Sequence, residues 1–143
     1  MPAMTLLTLD LRSEIFYLGL DHPPPAKLGE DIAEGEEELF LFDEAELIAF
    51  DPDDGPTLRR PLPKPRFYGR RRSASVERPG RSLAAGTYAF LQWRPSGEEG
   101  LLEGLEWFAR ESWWESRDLS GPYILRRVRE DGRLATQVLR KMI

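Results

Sequence analysis

Residues 87–114 read TYAFLQWRPSGEEGLLEGLEWFARESWW, and within them the hydrophobic period changes once. From Thr87 to Trp93 the period is two. Thr87, Ala89, Leu91 and Trp93 fall on one side of an extended chain and Tyr88, Phe90 and Gln92 on the other, which predicts a strand. Pro95 ends it. Beyond Ser96 the period is helical: Leu101, Leu102, Leu105, Phe108, Ala109 and Trp113 fill one stripe at about 100° per residue. Ser96 and Glu99 have the S-x-x-E spacing of a capping box, so the helix is predicted to start near Gly97. The Ser96 hydroxyl would accept from the Glu99 backbone N–H, and the Glu99 carboxylate would reach back to the Ser96 N–H. Gly104 weakens this helix by about 1 kcal/mol relative to alanine, a cost that close approach to a strand would explain.

The pattern continues downstream. Ser120-Gly121-Pro122 precedes YILRRV, a strand, and LATQVLRKMI reads as its returning partner. Between them Asp131-Gly132 supplies the positive φ angles of a type I′ hairpin turn. Residues 83–143 therefore form a strand–helix–strand–strand unit.

Upstream the elements are shorter. TLLTLDL and EIFYLGL read as strands, with Arg12-Ser13 as a turn between them. Pro23-Pro24-Pro25 stops any regular element, because three prolines leave no backbone donors. Residues 26–38 read as an acidic loop, with a short helical turn near Asp31 as its one regular feature. ELFLF and LIAF flank Asp43-Glu44-Ala45-Glu46 and suggest a hairpin; a single helix over residues 36–50 is the alternative. Residues 51–56 are a turn by local chemistry, PLPKP is an extended edge segment, and RFYGRRRSASVERPG is one edge strand plus a loop. The expectation is a single α+β domain over residues 1–143. A twisted, mostly antiparallel sheet of seven or eight strands carries one main helix, about 97–114, on one face. A β-rich half, 1–82, precedes the strand–helix–hairpin half, 83–143.

A chain of 143 residues can bury a core without covalent staples. With no cysteine, it has no disulfide, thiolate metal site or cysteine nucleophile. Its single histidine, His22, excludes a histidine-rich metal site. No P-loop, no G-x-G-x-x-G and no calcium-loop spacing is present. No catalytic, metal or cofactor-binding residues are assigned, no cofactor is expected, and a non-enzymatic role leads. The absence of a basic, apolar leader and of any apolar run near ~18 residues predicts a cytoplasmic protein with no membrane association. The net charge of −5 conceals segregation: residues 21–54 hold 13 acids against Lys27, and residues 58–81 hold nine bases against Glu77. Mutual neutralisation across neighbouring strands or loops is the leading reading. A nucleic-acid surface is the weaker one, since the acidic block would repel phosphate.

All four tryptophans lie between residues 93 and 114. Trp107 and Trp114, seven residues apart, fall on a flank of the helix outside its core stripe, bordered by Glu103. Burial by the rest of the chain, a ligand pocket and a partner surface all account for such a flank. An indole face beside Glu103 would suit a small apolar or cationic ligand.

LAAGTYAFLQW, the helix, and Gly121-Pro122-Tyr123 together resemble one half of the gyrase-inhibitor-like (GyrI-like) effector-binding domain. Leu83, Ala84, Gly86, Tyr88 and Ala89 match the family's strand entry. Trp113 or Trp114 matches its helix end. The resemblance implies strand–helix–strand–strand units facing an aromatic-lined ligand groove. The family's groove glutamate after Gly-Pro has no counterpart; Tyr123, Ile124 and Leu125 stand there. No helix-turn-helix pattern precedes the unit, so a stand-alone module is expected. On these grounds Tyr88, Phe90, Glu103, Trp107, Trp114 and Tyr123 are the candidate ligand-binding residues of a small-molecule-binding or sensing module. The alternative is a protein-interaction or homodimerisation module using the Trp107–Trp114 flank.

Overall fold

The computed structural model describes residues 6–12, 15–19, 33–72 and 81–143. The Arg12-Ser13 turn, His22 and the proline stop, the turn near Asp31 and the 73–80 loop lie wholly or partly outside them. Among the described residues the order is β1 (Leu7–Leu11), β2 (Ile15–Gly19), β3 (Glu36–Phe42), α1 (Glu44–Leu47), β4 (Ile48–Asp51), β5 (Gly55–Leu58), β6 (Phe67–Arg72), β7 (Arg81–Leu83), β8 (Gly86–Trp93), α2 (Gly97–Trp114), β9 (Leu119–Glu130) and β10 (Arg133–Met142). Eight strands form one sheet, ordered β1-β8-β10-β9-β3-β6-β2-β7, while β4 and β5 pair separately. The pairings are antiparallel, as expected for this α+β fold.

The strand–helix–strand–strand unit forms as read. β8 lies against β10, and β10 against β9. Asp131 at φ 54° and Gly132 at φ 73° both occupy the left-handed region that a type I′ turn demands. Gly104 permits the close approach anticipated for it. A methyl there would lie 2.1 Å from Cε2 of Trp93, whose indole Nε1–H donates to the Gly100 carbonyl at 3.1 Å.

The sheet order returns on itself. β1 flanks β8 at one end, β7 flanks β2 at the other, and β7 runs through Ala84-Ala85 into β8. The sheet is therefore curled, and each of its eight strands sends a side chain into one inner cluster: Leu9, Leu11, Ile15, Leu39, Leu41, Phe67, Leu83, Tyr88, Phe90, Ile124 and Leu139. The outer face carries the second core. There Phe40, Phe42, Ala89, Leu91, Tyr123, Leu125 and Val138 meet Leu101, Leu102, Leu105, Phe108 and Ala109 of α2, with Ile48 and Leu58 from the small sheet.

Four expectations are corrected. First, β3 and β4 do not form a hairpin. Residues of β3 alternate between the two cores, so β3 is an interior strand between β6 and β9. The Glu and Ala of the connection, both good helix formers, take one helical turn, α1, that carries the chain off the sheet to pair β4 with β5.

Second, Glu36, Glu37 and Glu38 are strand residues rather than loop, because each sits opposite an arginine of β6: Arg72, Arg71 and Arg70. The Glu37 carboxylate meets Arg71 at 3.3 Å and also pairs with Arg126 of β9. Glu38, fully buried, accepts from the Tyr68 hydroxyl at 2.9 Å, and Arg70 Nε donates to that hydroxyl at 2.8 Å. Arg66 pairs with Asp43 at 2.7 Å. The acidic and basic blocks thus neutralise each other across neighbouring strands in the described residues.

Third, α2 starts at Gly97 without the capping box. Ser96 makes no side-chain cap bond, and the Glu99 carboxylate accepts from Arg60 at 2.9 Å instead. Fourth, the core stripe of α2 ends on Ser112, 5% exposed, while Trp113 is 42% exposed. The last turn of the helix leaves the sheet, so position 113 faces the β4–β5 hairpin rather than the core.

Candidate functional site

The six candidate residues do not line one site. Tyr88 and Phe90 point into the inner core, and the Tyr88 hydroxyl donates to the Ala84 carbonyl at 2.6 Å. Tyr123 and Trp107 belong to the outer core on the other side of the sheet. Glu103 is exposed on α2 and Trp114 is 76% exposed at its end. The ring of Trp114 lies 6.2 Å from that of Trp113. The helix flank is thus divided, with Trp107 packed on the core and Trp114 in solvent.

Of the six, Tyr123 alone lines a groove of about 430 Å³ between α1, the β4–β5 hairpin, the last turns of α2 and the start of β9. Its construction can be followed residue by residue. Asp51 Oδ1 accepts from the Asp53 and Asp54 N–H groups at 2.8 and 3.3 Å and so holds the turn of the small hairpin. The polar flank of α2 clamps that hairpin: Glu106 accepts from the Leu58 N–H at 2.9 Å, and Arg110 Nε donates to the Pro56 carbonyl at 3.2 Å. Gly55, at φ 80°, then lies flat against Trp113; a methyl there would stand 2.9 Å from Cε3 of the indole. Phe50 meets Trp113 edge-on at 5.7 Å, and the two rings form the rim.

The C-terminus of α2 shapes the opposite wall. The Ser116 N–H donates to the Trp113 carbonyl and the Arg117 N–H to the Ser112 carbonyl, both at 3.0 Å, with Ser116 at φ 54°. This is a Schellman motif with serine where glycine is usual, and it brings Arg117 into the groove lining. The floor is Tyr123 beneath the guanidinium of Arg140, whose Cζ lies 4.7 Å from the ring centroid. Arg140 Nε donates to the Gly121 carbonyl at 3.0 Å and Nη1 to Glu44 at 2.7 Å. Burial pushes the Tyr123 phenol above its ordinary pKa, with Arg140 opposing, so the floor is a neutral hydroxyl at physiological pH.

Ser112 also lines this groove. Its hydroxyl is buried and has no hydrogen-bond partner in the protein. A buried hydroxyl left so costs about 1–3 kcal/mol, and the usual escape, donation to the carbonyl four residues back, is not taken.

A second concavity, about 530 Å³, includes Glu37, Gln92, Arg126 and Gln137 in its lining. Four of its polar side chains bond to one another in a chain. Glu37 pairs with Arg126, Arg126 donates to Gln137 at 3.2 Å, and Gln137 donates to Gln92 at 2.9 Å. Among the described residues no group of three or more His, Asp or Glu side chains is placed to hold a metal ion, and no helix is long and apolar enough to cross a membrane.

Glu44, Phe50, Ser112, Arg117 and Arg140 were not site candidates from sequence, and Trp113 was read there as part of the core stripe or the helix end rather than as a site residue. They come from five separate elements or loops, and only the exposed aromatics Phe50 and Trp113 carry a local signal. No family model, curated protein or solved structure matches the chain.

Proposed function

We propose that this protein is a small-molecule-binding module whose ligand occupies the groove between the β4–β5 hairpin and the C-terminal end of α2. The observation that carries this reading is the groove itself, rimmed by the exposed rings of Phe50 and Trp113 and holding the polar side chains of Arg117, Arg140 and Glu44 in its lining. The groove's size falls within the range of small-molecule sites, which combine apolar walls with a few placed polar groups. The reading keeps Tyr123 from the candidates chosen on sequence and replaces the Trp107–Trp114 flank with Phe50 and Trp113.

A thermal-shift screen of small aromatic and aliphatic fragments tests it. A ligand at a hundred times its Kd stabilises by about 2.7 kcal/mol. Binders are expected to raise Tm in the parent protein and to lose that effect in Trp113→Ala. A screen in which no fragment separates the two proteins overturns the proposal.

A second reading rests on a different observation. Phe50, Trp113 and Trp114 are 59%, 42% and 76% exposed and touch in sequence along one surface. Such a patch suits a homodimer contact. Light scattering decides this: a monomer at high micromolar concentration removes the homodimer.

A further inference from the structure

We infer that the groove's ligand is an anion: a small carboxylate carrying a flat or apolar body. The inference rests on the groove reading above and adds the ligand's charge. Two arginines and one carboxylate, Arg117, Arg140 and Glu44, supply the formal charge of the lining. The arginines are the enclosed partners and their acids the open ones. The Arg140 side chain is 11% exposed against 56% for Glu44, and Arg117 is 22% exposed against 38% for Glu115. The Arg117–Glu115 contact is long, at 3.4 Å. Ion pairs whose acid stands in water are weak and readily exchanged. A ligand carboxylate entering the groove would meet guanidinium groups already shielded from solvent and could replace Glu44 on Arg140. Charge-assisted bonds of this kind are the strong ones.

The remaining features agree. Phe50 and Trp113, edge to face at the rim, offer an aromatic surface to a flat body. A cation would find only Glu44 in the lining, and Glu44 already holds Arg140 at 2.7 Å. The resulting arrangement is a carboxylate on Arg117 and Arg140, with its body between the hairpin and the helix end.

Calorimetric titration of the full chain with naphthoate, naphthamide and naphthylmethylamine tests this, since the three share a body and differ in charge. Naphthoate is expected to bind roughly tenfold or more tighter than the other two. In Arg117→Gln that preference should fall to a fewfold. If Arg117→Gln folds poorly, Glu44→Gln reads the same site: it frees Arg140 from its exposed acid and should raise the preference for naphthoate. Equal affinity for all three, or tighter binding of the amine, overturns the anion inference and leaves the groove standing. No heat from any of the three, together with no fragment in the thermal screen that depends on Trp113, removes the groove reading itself.

Discussion

Replacing Gly104 with alanine sets two effects of opposite sign against each other. Helix propensity alone favours alanine by about 1 kcal/mol in a helix interior. Packing opposes it. The added methyl would lie 2.1, 2.3 and 2.4 Å from Cε2, Cζ2 and Nε1 of Trp93, where carbon contacts normally settle at about 3.5–4.0 Å. The indole must retreat by more than an ångström. It is not free to do so, since its Nε1–H is bonded to the Gly100 carbonyl of the same helix and its ring packs against the outer core. Overpacking costs about 1–3 kcal/mol, and loss of the indole bond adds about 1 kcal/mol. The net expectation is a loss of about 1–3 kcal/mol, or roughly 3–10 °C in Tm for a chain of this length. Urea denaturation with thermal melting measures it. In a Trp93→Leu background the same change should become neutral or stabilising, because the indole is gone. A Gly104→Ala protein as stable as its parent would refute the reasoning.

Three further outcomes follow from other parts of the molecule. Tyr68→Phe deprives the buried Glu38 carboxylate and Arg70 of their shared hydroxyl, so chemical denaturation should show a loss of about 1.5–3 kcal/mol; no loss would mean the network is dispensable. Ser116→Gly relieves a left-handed serine at φ 54° and should raise stability by about 1 kcal/mol, whereas a decrease would contradict the helix-end geometry. Burial holds the phenols of Tyr68, Tyr88 and Tyr123 above their ordinary pKa. The unfolded chain therefore releases these protons first, and stability should be full below about pH 10 and fall as pH rises beyond it. Tyrosinate absorbance that appears at the ordinary phenol pKa for every tyrosine would contradict this.

The C-terminal unit was legible in the sequence because its signals are local. An alternating strand, a helical stripe and an Asp-Gly turn each fix their own element, and they agree with one another. The capping box failed although its residues were present. Arg60, distant in sequence, competes for the Glu99 carboxylate, and no local rule anticipates that partner. β3 was misread for a related reason. Its glutamates look like loop until their opposing arginines on β6 and β9 are known, and its two apolar faces mark an interior strand only once both cores exist. The candidate site was the least legible feature. Tryptophan spacing identified an aromatic helix end, but which indole meets a groove depends on the β4–β5 hairpin that Glu106 and Arg110 clamp against it. Tyr88 and Tyr123 differ by one strand face, so both looked available while the sheet places them on opposite sides.

The central claim is that the groove beside Trp113 is where a ligand binds. The four tryptophans, Trp93, Trp107, Trp113 and Trp114, each give one indole N–H resonance, assignable by single Trp→Phe substitutions. Titrating the labelled protein with naphthoate should move the Trp113 signal first and furthest and leave Trp93, locked on Gly100, in place. Naphthoate binding that shifts Trp93 or Trp107 while Trp113 stays still would contradict the account.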